Sequence, residues 1–328
     1  MQPPDFWRRG ADHPLARAAA PLALIYRAGA GFRAALARPA PPPIPVLCVG
    51  GLTVGGAGKT PTVLALARLL LAEGRAVHLV SRGYGGRLAG PLRVDPARHD
   101  AAMVGDEPLL LAEIAPCWIA RDRAAAVRAA AAAGATLALL DDGFQNPTIA
   151  KSWSLLAIDG EDGFGNGRVL PAGPLREPPQ RGLARADAVL LIGDDRAGIA
   201  ARLPPGKPLL RADLVPLLPA TLAGRRVLAF AGIGRPAKFF AALERLPLAL
   251  VERTGFPDHH PYSAAEIERL VERAAELEAV AVTTAKDLVR VPRSLRPRVT
   301  AIEVELRWRD LPAIRRLLAA TGDASGGR

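Results

Sequence analysis

Residues 51–60, GLTVGGAGKT, gather three glycines, a lysine and a threonine within six positions. Glycines let successive backbone N–H groups turn toward phosphate oxygens. A lysine beside them can reach the β- and γ-phosphates of a nucleotide, and the next hydroxyl can ligate Mg²⁺. The run IPVLCVG at 44–50 reads as a buried strand and PTVLALARLLLAEG at 61–74 as a helix. Strand, glycine loop, Lys-Thr and helix together make a P-loop. The usual first glycine of that motif is Thr53 here. The nucleotide-binding candidates are Thr53, Val54, Gly55, Gly56, Ala57, Gly58, Lys59 and Thr60.

Acids mark a second group. Thr136–Gly143 reads TLALLDDG, an apolar strand ending in two carboxylates. An acid at that strand end is where a P-loop fold holds Mg²⁺, so Asp141 or Asp142 is the metal candidate; the other reading is a turn cap before Gly143. Asp106 and Glu107 open the helix DEPLLLAEIA, where acids also serve as partners of the helix dipole. His259 and His260 sit in FPDHHPY at 256–262, a Pro-bounded loop whose residues alone favour the reading of a solvent-exposed pair. Arg82 lies in the flexible loop SRGYGG, and Arg121 at a strand end.

These groups need a scaffold. Strands and helices alternate, which predicts an α/β fold with a mainly parallel sheet. The expected architecture is a P-loop NTPase-type three-layer α/β/α domain over 39–215, then a smaller α/β domain over 216–328. The Pro-punctuated stretch 203–219 reads as the linker. Residues 1–38 form a separate unit before the break PAPPP at 39–43. There Leu15, Ala18, Leu22, Ile25, Gly29, Phe32 and Leu36 recur on one helical face, with Arg17, Arg27 and Arg33 interspersed. A basic amphipathic helix suits a membrane surface; the same stripe also suits packing on the protein's own core.

Composition narrows the classes. The chain has 328 residues and a formal net charge of +11, carried by 38 arginines and five lysines. Such charge calls for an anionic partner: phosphate ligand, nucleic acid or membrane. Positive charge without interleaved aromatics argues against nucleic acid. Two cysteines, both in apolar runs, exclude a disulfide scaffold or a Cys-rich metal site. No uncharged apolar stretch reaches bilayer-spanning length. The apolar run 18–26 is too short for a persuasive signal peptide.

Taken together, GGLTVGGAGKTPT at 50–62, SRGYGG at 81–86, GDEP at 105–108, DDGFQ at 141–145, RVLPAGPLREP at 168–178, DHH at 258–260 and TTAKD at 283–287 resemble the tetraacyldisaccharide 4′-kinases, the lipid A 4′-kinases of Gram-negative bacteria. The resemblance runs along nearly the whole chain. It implies two α/β/α domains and transfer of the γ-phosphoryl group of ATP, with Mg²⁺, to the 4′-hydroxyl of a tetraacyl glucosamine disaccharide 1-phosphate, giving lipid IVA. It implies work at the cytoplasmic face of the inner membrane, as a peripheral protein. By resemblance Asp106 is the base, His259 its partner, and Lys59 the phosphoryl stabiliser. Thr60, Asp141, Asp142 and Glu107 form the metal set, and Arg82, Gln145 and Arg176 the substrate contacts. No role carries over to His260, and Phe144 suits packing as well as contact. The rival reading is a membrane-associated P-loop ATPase switch with no small-molecule acceptor. Such switches often carry a lysine just before the Gly-Gly of the loop, where Val54 stands here.

Overall fold

The computed structural model describes residues 4–8 and 10–323; residues 1–3, Arg9 and 324–328, part of the expected terminal units, lie outside it. Twelve strands form one sheet: β1 (Val46–Gly50), β2 (Val77–Ser81), β3 (Leu92–Arg93), β4 (Cys117–Ile119), β5 (Leu137–Asp141), β6 (Trp153–Asp159), β7 (Ala188–Ile192), β8 (Leu209–Leu217), β9 (Arg226–Ala231), β10 (Ala249–Gly255), β11 (Val280–Thr284) and β12 (Thr300–Trp308). Their order is β10-β9-β11-β12-β8-β7-β6-β1-β5-β2-β4-β3. Neighbours run parallel except at β3–β4 and β8–β12. The order reverses around β1, between β5 and β6, and such a switch point opens a crevice at the strand ends.

The helices are α1 (Pro14–Ala18), α2 (Ala20–Leu36), α3 (Lys59–Ala72), α4 (Ala101–Val104), α5 (Asp106–Ala112), α6 (Arg123–Ala132), α7 (Pro179–Arg185), α8 (Pro236–Leu243), α9 (Ala264–Glu276), α10 (Ala285–Leu288) and α11 (Leu311–Asp323). Side chains of a strand alternate between faces. In β1, Leu47 and Val49 pack with α3 residues Val63, Leu66 and Leu70, while Val46 and Cys48 pack with Val127 of α6 and Leu183 of α7. The second half repeats the scheme. Val227 and Ala229 of β9 meet Phe239 and Leu243 of α8; Leu228 and Phe230 meet Ile267 of α9. Both halves are therefore α/β/α layers, as the strand and helix alternation predicts. Both cysteines are buried in these layers, and burial pushes the Cys48 thiol up to about 12.

Three features depart from the sequence expectation. The stretch 203–219, expected as a linker, contains β8, which pairs in parallel with β7 and antiparallel with β12. Apolar Leu209, Leu210 and Ala212 outweigh the flanking prolines, and Pro216 is tolerated opposite Val304 near the strand's end. The last helix, α11, returns to the first half: Ile314 and Leu318 are buried in the layer that holds α3. The N-terminal unit is not one helix. A single 3₁₀ turn (Asp5–Trp7), α1 and α2 follow one another, with Pro21 in the first turn of α2, where a missing N–H costs nothing.

The predicted apolar stripe of this unit faces outward. Leu15, Leu22, Ile25, Phe32 and Leu36 are each more than half exposed, at 57% to 69%, while Ala16 and Ala23 turn inward. The unit is tied down by its polar atoms. Trp7 Nε1–H donates to Pro171 O at 3.1 Å, and Arg168 Nε–H donates to Ala11 O at 2.7 Å. Among the described residues no helix is long and apolar enough to cross a membrane.

Candidate active site

The glycine loop leaves the end of β1 and enters α3. Gly58 caps α3 in the left-handed region, with φ +75°, a conformation that favours glycine. A Cβ there would meet Ile192 Cδ1 at 2.5 Å. The loop is framed by the segment 174–176: Val54 N–H donates to Pro174 O at 2.9 Å, and Arg176 N–H donates to Leu52 O at 2.7 Å. Ala57 N–H is likewise spent on Gly55 O. Of the predicted cradle, Val54 and Ala57 therefore serve the loop's own shape. The amides of Gly55, Gly56 and Gly58 have no partner among the described residues and, with the start of α3, could hold an anion.

Two adjacent carboxylates close the floor, in different states. Asp142 accepts both guanidinium N–H groups of Arg176, at 2.7 and 2.8 Å, and lies 3.1 Å from Lys59 Nζ. Burial opposes its ionisation, but Lys59 and Arg176 outweigh burial and hold it at about 2. Asp141 is buried, receives one long hydrogen bond from the Thr60 hydroxyl at 3.3 Å, and its Oδ1 has no partner among the described residues. Burial, Glu107 and Asp142 push it up to about 8. A buried, under-satisfied carboxylate beside a hydroxyl fits Mg²⁺, which binds one or two protein oxygens and fills its shell with waters and phosphates. Asp142 is saturated by Arg176 and Lys59, which leaves Asp141 and Thr60 as the facing donors. Asp142 also adopts φ +54°, strained for a non-glycine residue.

The acceptor side is built from distant segments. Gly105 (φ +89°) turns the chain so that Asp106 begins α5; a Cβ on Gly105 would meet Tyr84 O at 2.4 Å. Asp106 is 3% exposed. Its Oδ2 lies 2.9 Å from His259 Nδ1, and since the carboxylate only accepts, that nitrogen donates. Burial pushes the Asp106 carboxyl up, yet the His259 hydrogen bond and the Lys286 and Arg290 charges overcome burial and hold it below its ordinary value. His259 sits at φ +58°, and the Tyr84 ring lies 5.6 Å from its own. His260 is held differently: its Nε2 pairs with Glu266 at 3.1 Å and its ring stacks on Phe256.

The protein resembles known kinases along its length. The pattern of the Tetraacyldisaccharide-1-P 4′-kinase family matches residues 15–322. The chain belongs to this family. A tetraacyldisaccharide 4′-kinase of Rhodospirillum centenum is 58% identical over 324 residues, covering 97% of this chain and 96% of its own. One of Gluconacetobacter diazotrophicus is 52% identical, covering 97% of each. The "apo" form of LpxK from Aquifex aeolicus, solved in complex with ATP, superposes with a TM-score of 0.77 at 28% identity, covering 94% of this chain and 99% of that one.

The remaining predicted residues of this family member fall around the same cleft in different ways. Gln145 has both ends engaged: its amide N–H₂ donates to Gly51 O and Glu177, and its oxygen accepts from Arg176. Glu107 is paired with Lys286 at 3.1 Å. Arg82 and Arg121 are exposed and make no ion pair with any described residue. Phe144 is buried, and the Arg185 guanidinium lies 4.7 Å over its ring. Its role is packing.

Sequence reasoning missed several cations. Lys286 and Arg290 approach Asp106 Oδ2 at 3.9 and 3.6 Å. Lys286 lies within the TTAKD motif, which had signalled importance without a role. Arg123 is buried next to Arg82, with an unpartnered Nε among the described residues. Arg235 spans the cleft: it pairs with Asp159 and Asp162 and donates to Gly56 O of the glycine loop at 3.3 Å. Lys238 joins it, 2.7 Å from Asp159 and 3.0 Å from Glu161.

Proposed function

We propose that this kinase transfers the γ-phosphoryl group of ATP to the 4′-hydroxyl of a tetraacyl glucosamine disaccharide 1-phosphate, giving lipid IVA. The observation that carries the reading is the joining of Asp106 and His259, 153 residues apart, in the cleft that also holds the glycine loop and Lys59. A nucleotide switch without an acceptor has no use for an ionised, histidine-held carboxylate opposite its phosphate loop, which disfavours that alternative.

The residues divide the work as follows. Amides of Gly55, Gly56 and Gly58 and the start of α3 hold the β- and γ-phosphates of ATP. Lys59 neutralises charge on the transferring oxygens. Asp141 and Thr60 would hold Mg²⁺, with Glu107 nearby, and bound Mg²⁺ supplies further charge to the β- and γ-oxygens. Asp106 takes the acceptor's hydroxyl proton as the new P–O bond forms and the bond to the departing ADP breaks. His259 donates from Nδ1–H to Asp106 throughout, orienting the carboxylate, and the acquired proton stays on Asp106 until it leaves to solvent. Arg82 and Arg121, exposed and without an ion pair among the described residues, suit the sugar phosphate; Arg176 and Gln145 support the floor beside it. On this reading 39–215 carries the donor, 216–328 brings His259, and the acceptor binds between them.

The outward row of Leu15, Leu22, Ile25, Phe32 and Leu36 supports a membrane-seated unit. The arginines beside it suit anionic headgroups. We assign it to the cytoplasmic face of the inner membrane, where acyl chains stay in lipid while the head group enters the cleft.

The test is direct. Protein, γ-labelled ATP and tetraacyldisaccharide 1-phosphate are incubated in detergent with Mg²⁺. Label is expected in the lipid. Hydrolysis to free phosphate with no labelled lipid overturns the assignment.

A further inference from the structure

The cations behind Asp106 have no place in the scheme above. Arg290 follows α10 and is nearly buried, its side chain 5% exposed. Its nitrogens are spread over both halves of the acceptor side. Nε lies 3.6 Å from Asp106 Oδ2 and 3.3 Å from Lys286 O. Nη2–H donates to Asp287 Oδ1 at 2.5 Å and to Gly232 O at 2.9 Å. Nη1–H reaches His260 O at 3.4 Å. Gly232 O is also the acceptor of the His259 backbone N–H, at 3.0 Å. One guanidinium therefore touches the carboxylate of the pair and the two carbonyls that bracket the strained histidine.

Asp287 fixes that guanidinium in turn. It is fully buried and accepts from four groups: Gly232 N–H at 2.8 Å, Tyr262 O–H at 2.7 Å, Thr284 O–H at 2.6 Å and Arg290. A satisfied buried network of this kind fixes a single geometry. A left-handed non-glycine residue persists where its surroundings over-determine it; at His259 those surroundings are Gly232 O and the Arg290 fork. Lysine could not replace the fork, because a point charge on a flexible stem cannot span three acceptors.

We propose that Arg290, pinned by Asp287, is a positioning residue of the transfer reaction, holding Asp106 and the His259 loop in one working geometry. This rests on the reading of Asp106 as base. Arg290 touches neither nucleotide loop nor floor, so its loss is felt in turnover and not in nucleotide binding. Misplacement of a catalytic group by about 1 Å costs on the order of 100-fold in rate.

The experiment is a double-mutant cycle on the full chain with ATP and the disaccharide lipid. Arg290→Gln leaves three donors on Asp287, and folding is checked by circular dichroism. The expected result is a kcat lowered about 10- to 100-fold with KM for ATP unchanged. In an Asp106→Asn background the same change should cost almost nothing further, because its effect passes through that carboxylate. Arg290→Lys carries the same test if the glutamine variant does not fold. An equal loss in both backgrounds, or a raised KM with kcat intact, overturns the proposal. Near-normal transfer by Asp106→Asn alone is a different failure, that of the underlying reading.

Discussion

Gly58→Ala is the sharpest single test of how the loop is built. Two separate costs can be read from the structure. The backbone at φ +75° is left-handed, which costs an L-residue about 1–2 kcal/mol. The added Cβ also meets Ile192 Cδ1 at 2.5 Å, the far end of a flexible side chain at the end of β7, and such overpacking costs about 1–3 kcal/mol. The sum is roughly 2–5 kcal/mol of apparent stability. Urea unfolding without nucleotide measures it, and calorimetry measures ATP affinity, which should fall because the amides of Gly55, Gly56 and Gly58 are turned from their targets. A second substitution separates the costs. Ile192→Val removes the offending methyl; alone it should cost about 0.5–1.5 kcal/mol, while in the Gly58→Ala background it should recover part of the loss. The backbone share should persist. A loss for Gly58→Ala below about 0.5 kcal/mol, within the range of an ordinary surface change, refutes the reasoning. So does complete recovery by Ile192→Val, which would leave nothing for φ.

Other outcomes follow from the same geometry. Lys59→Ala should lower transfer about 10²–10³-fold, since transition-state charge loses its cation; near-normal turnover in the labelled-lipid assay rejects its role. Asp141→Asn should abolish Mg²⁺-dependent transfer yet stabilise the metal-free protein at pH 7 by about 1–3 kcal/mol, because the folded chain no longer has to keep a buried, poorly partnered carboxyl protonated where the unfolded chain ionises it. The sign follows from its raised value of about 8: the folded state holds a proton that the unfolded state has lost, so this group's contribution falls as pH rises from about 4 to 8 and is level above that. Urea unfolding in a chelator across that window checks it, and a wild-type pH slope kept in the variant counts against it. Replacing Ile25 and Phe32 by Asp should reduce sedimentation with anionic vesicles while leaving activity on detergent-dispersed lipid intact; unchanged sedimentation sinks the membrane-surface assignment.

What the sequence disclosed was local. The glycine loop, the acids ending β5 and the acids opening α5 each lie in a contiguous run punctuated by glycine or proline, at the strand and helix ends the pattern gave; the His259 loop, whose residues favoured solvent exposure, is instead half-buried with its histidine against Asp106. The pairing of Asp106 with His259 came through family resemblance, since nothing in the spacing of two residues 153 apart announces contact. What stayed hidden was long-range. β8 lay in a proline-marked stretch, and its strand character depends on partners on both sides. Arg290 and Asp287 are common residue types in a short turn, and their meaning arises once Gly232, Tyr262 and Asp106 surround them. Asp142 looked equivalent to Asp141; Arg176, contributed by a segment 34 residues further along, makes the difference.

The return of α11 has a consequence for synthesis. Ile314 and Leu318 fill the layer behind α3, so the apolar wall of the glycine-loop half is incomplete until residues beyond 310 are available. Chains are made from the N-terminus, and early domains ordinarily fold while later ones are still in the ribosome. Here the layer that packs behind α3 is completed by a helix that begins at Leu311. Until that helix is made, a chain that had folded this far would expose both the unsealed face of α3 and the apolar row of α2. A holding chaperone or a nearby bilayer would shorten the time these two surfaces have to find each other in the wrong arrangement.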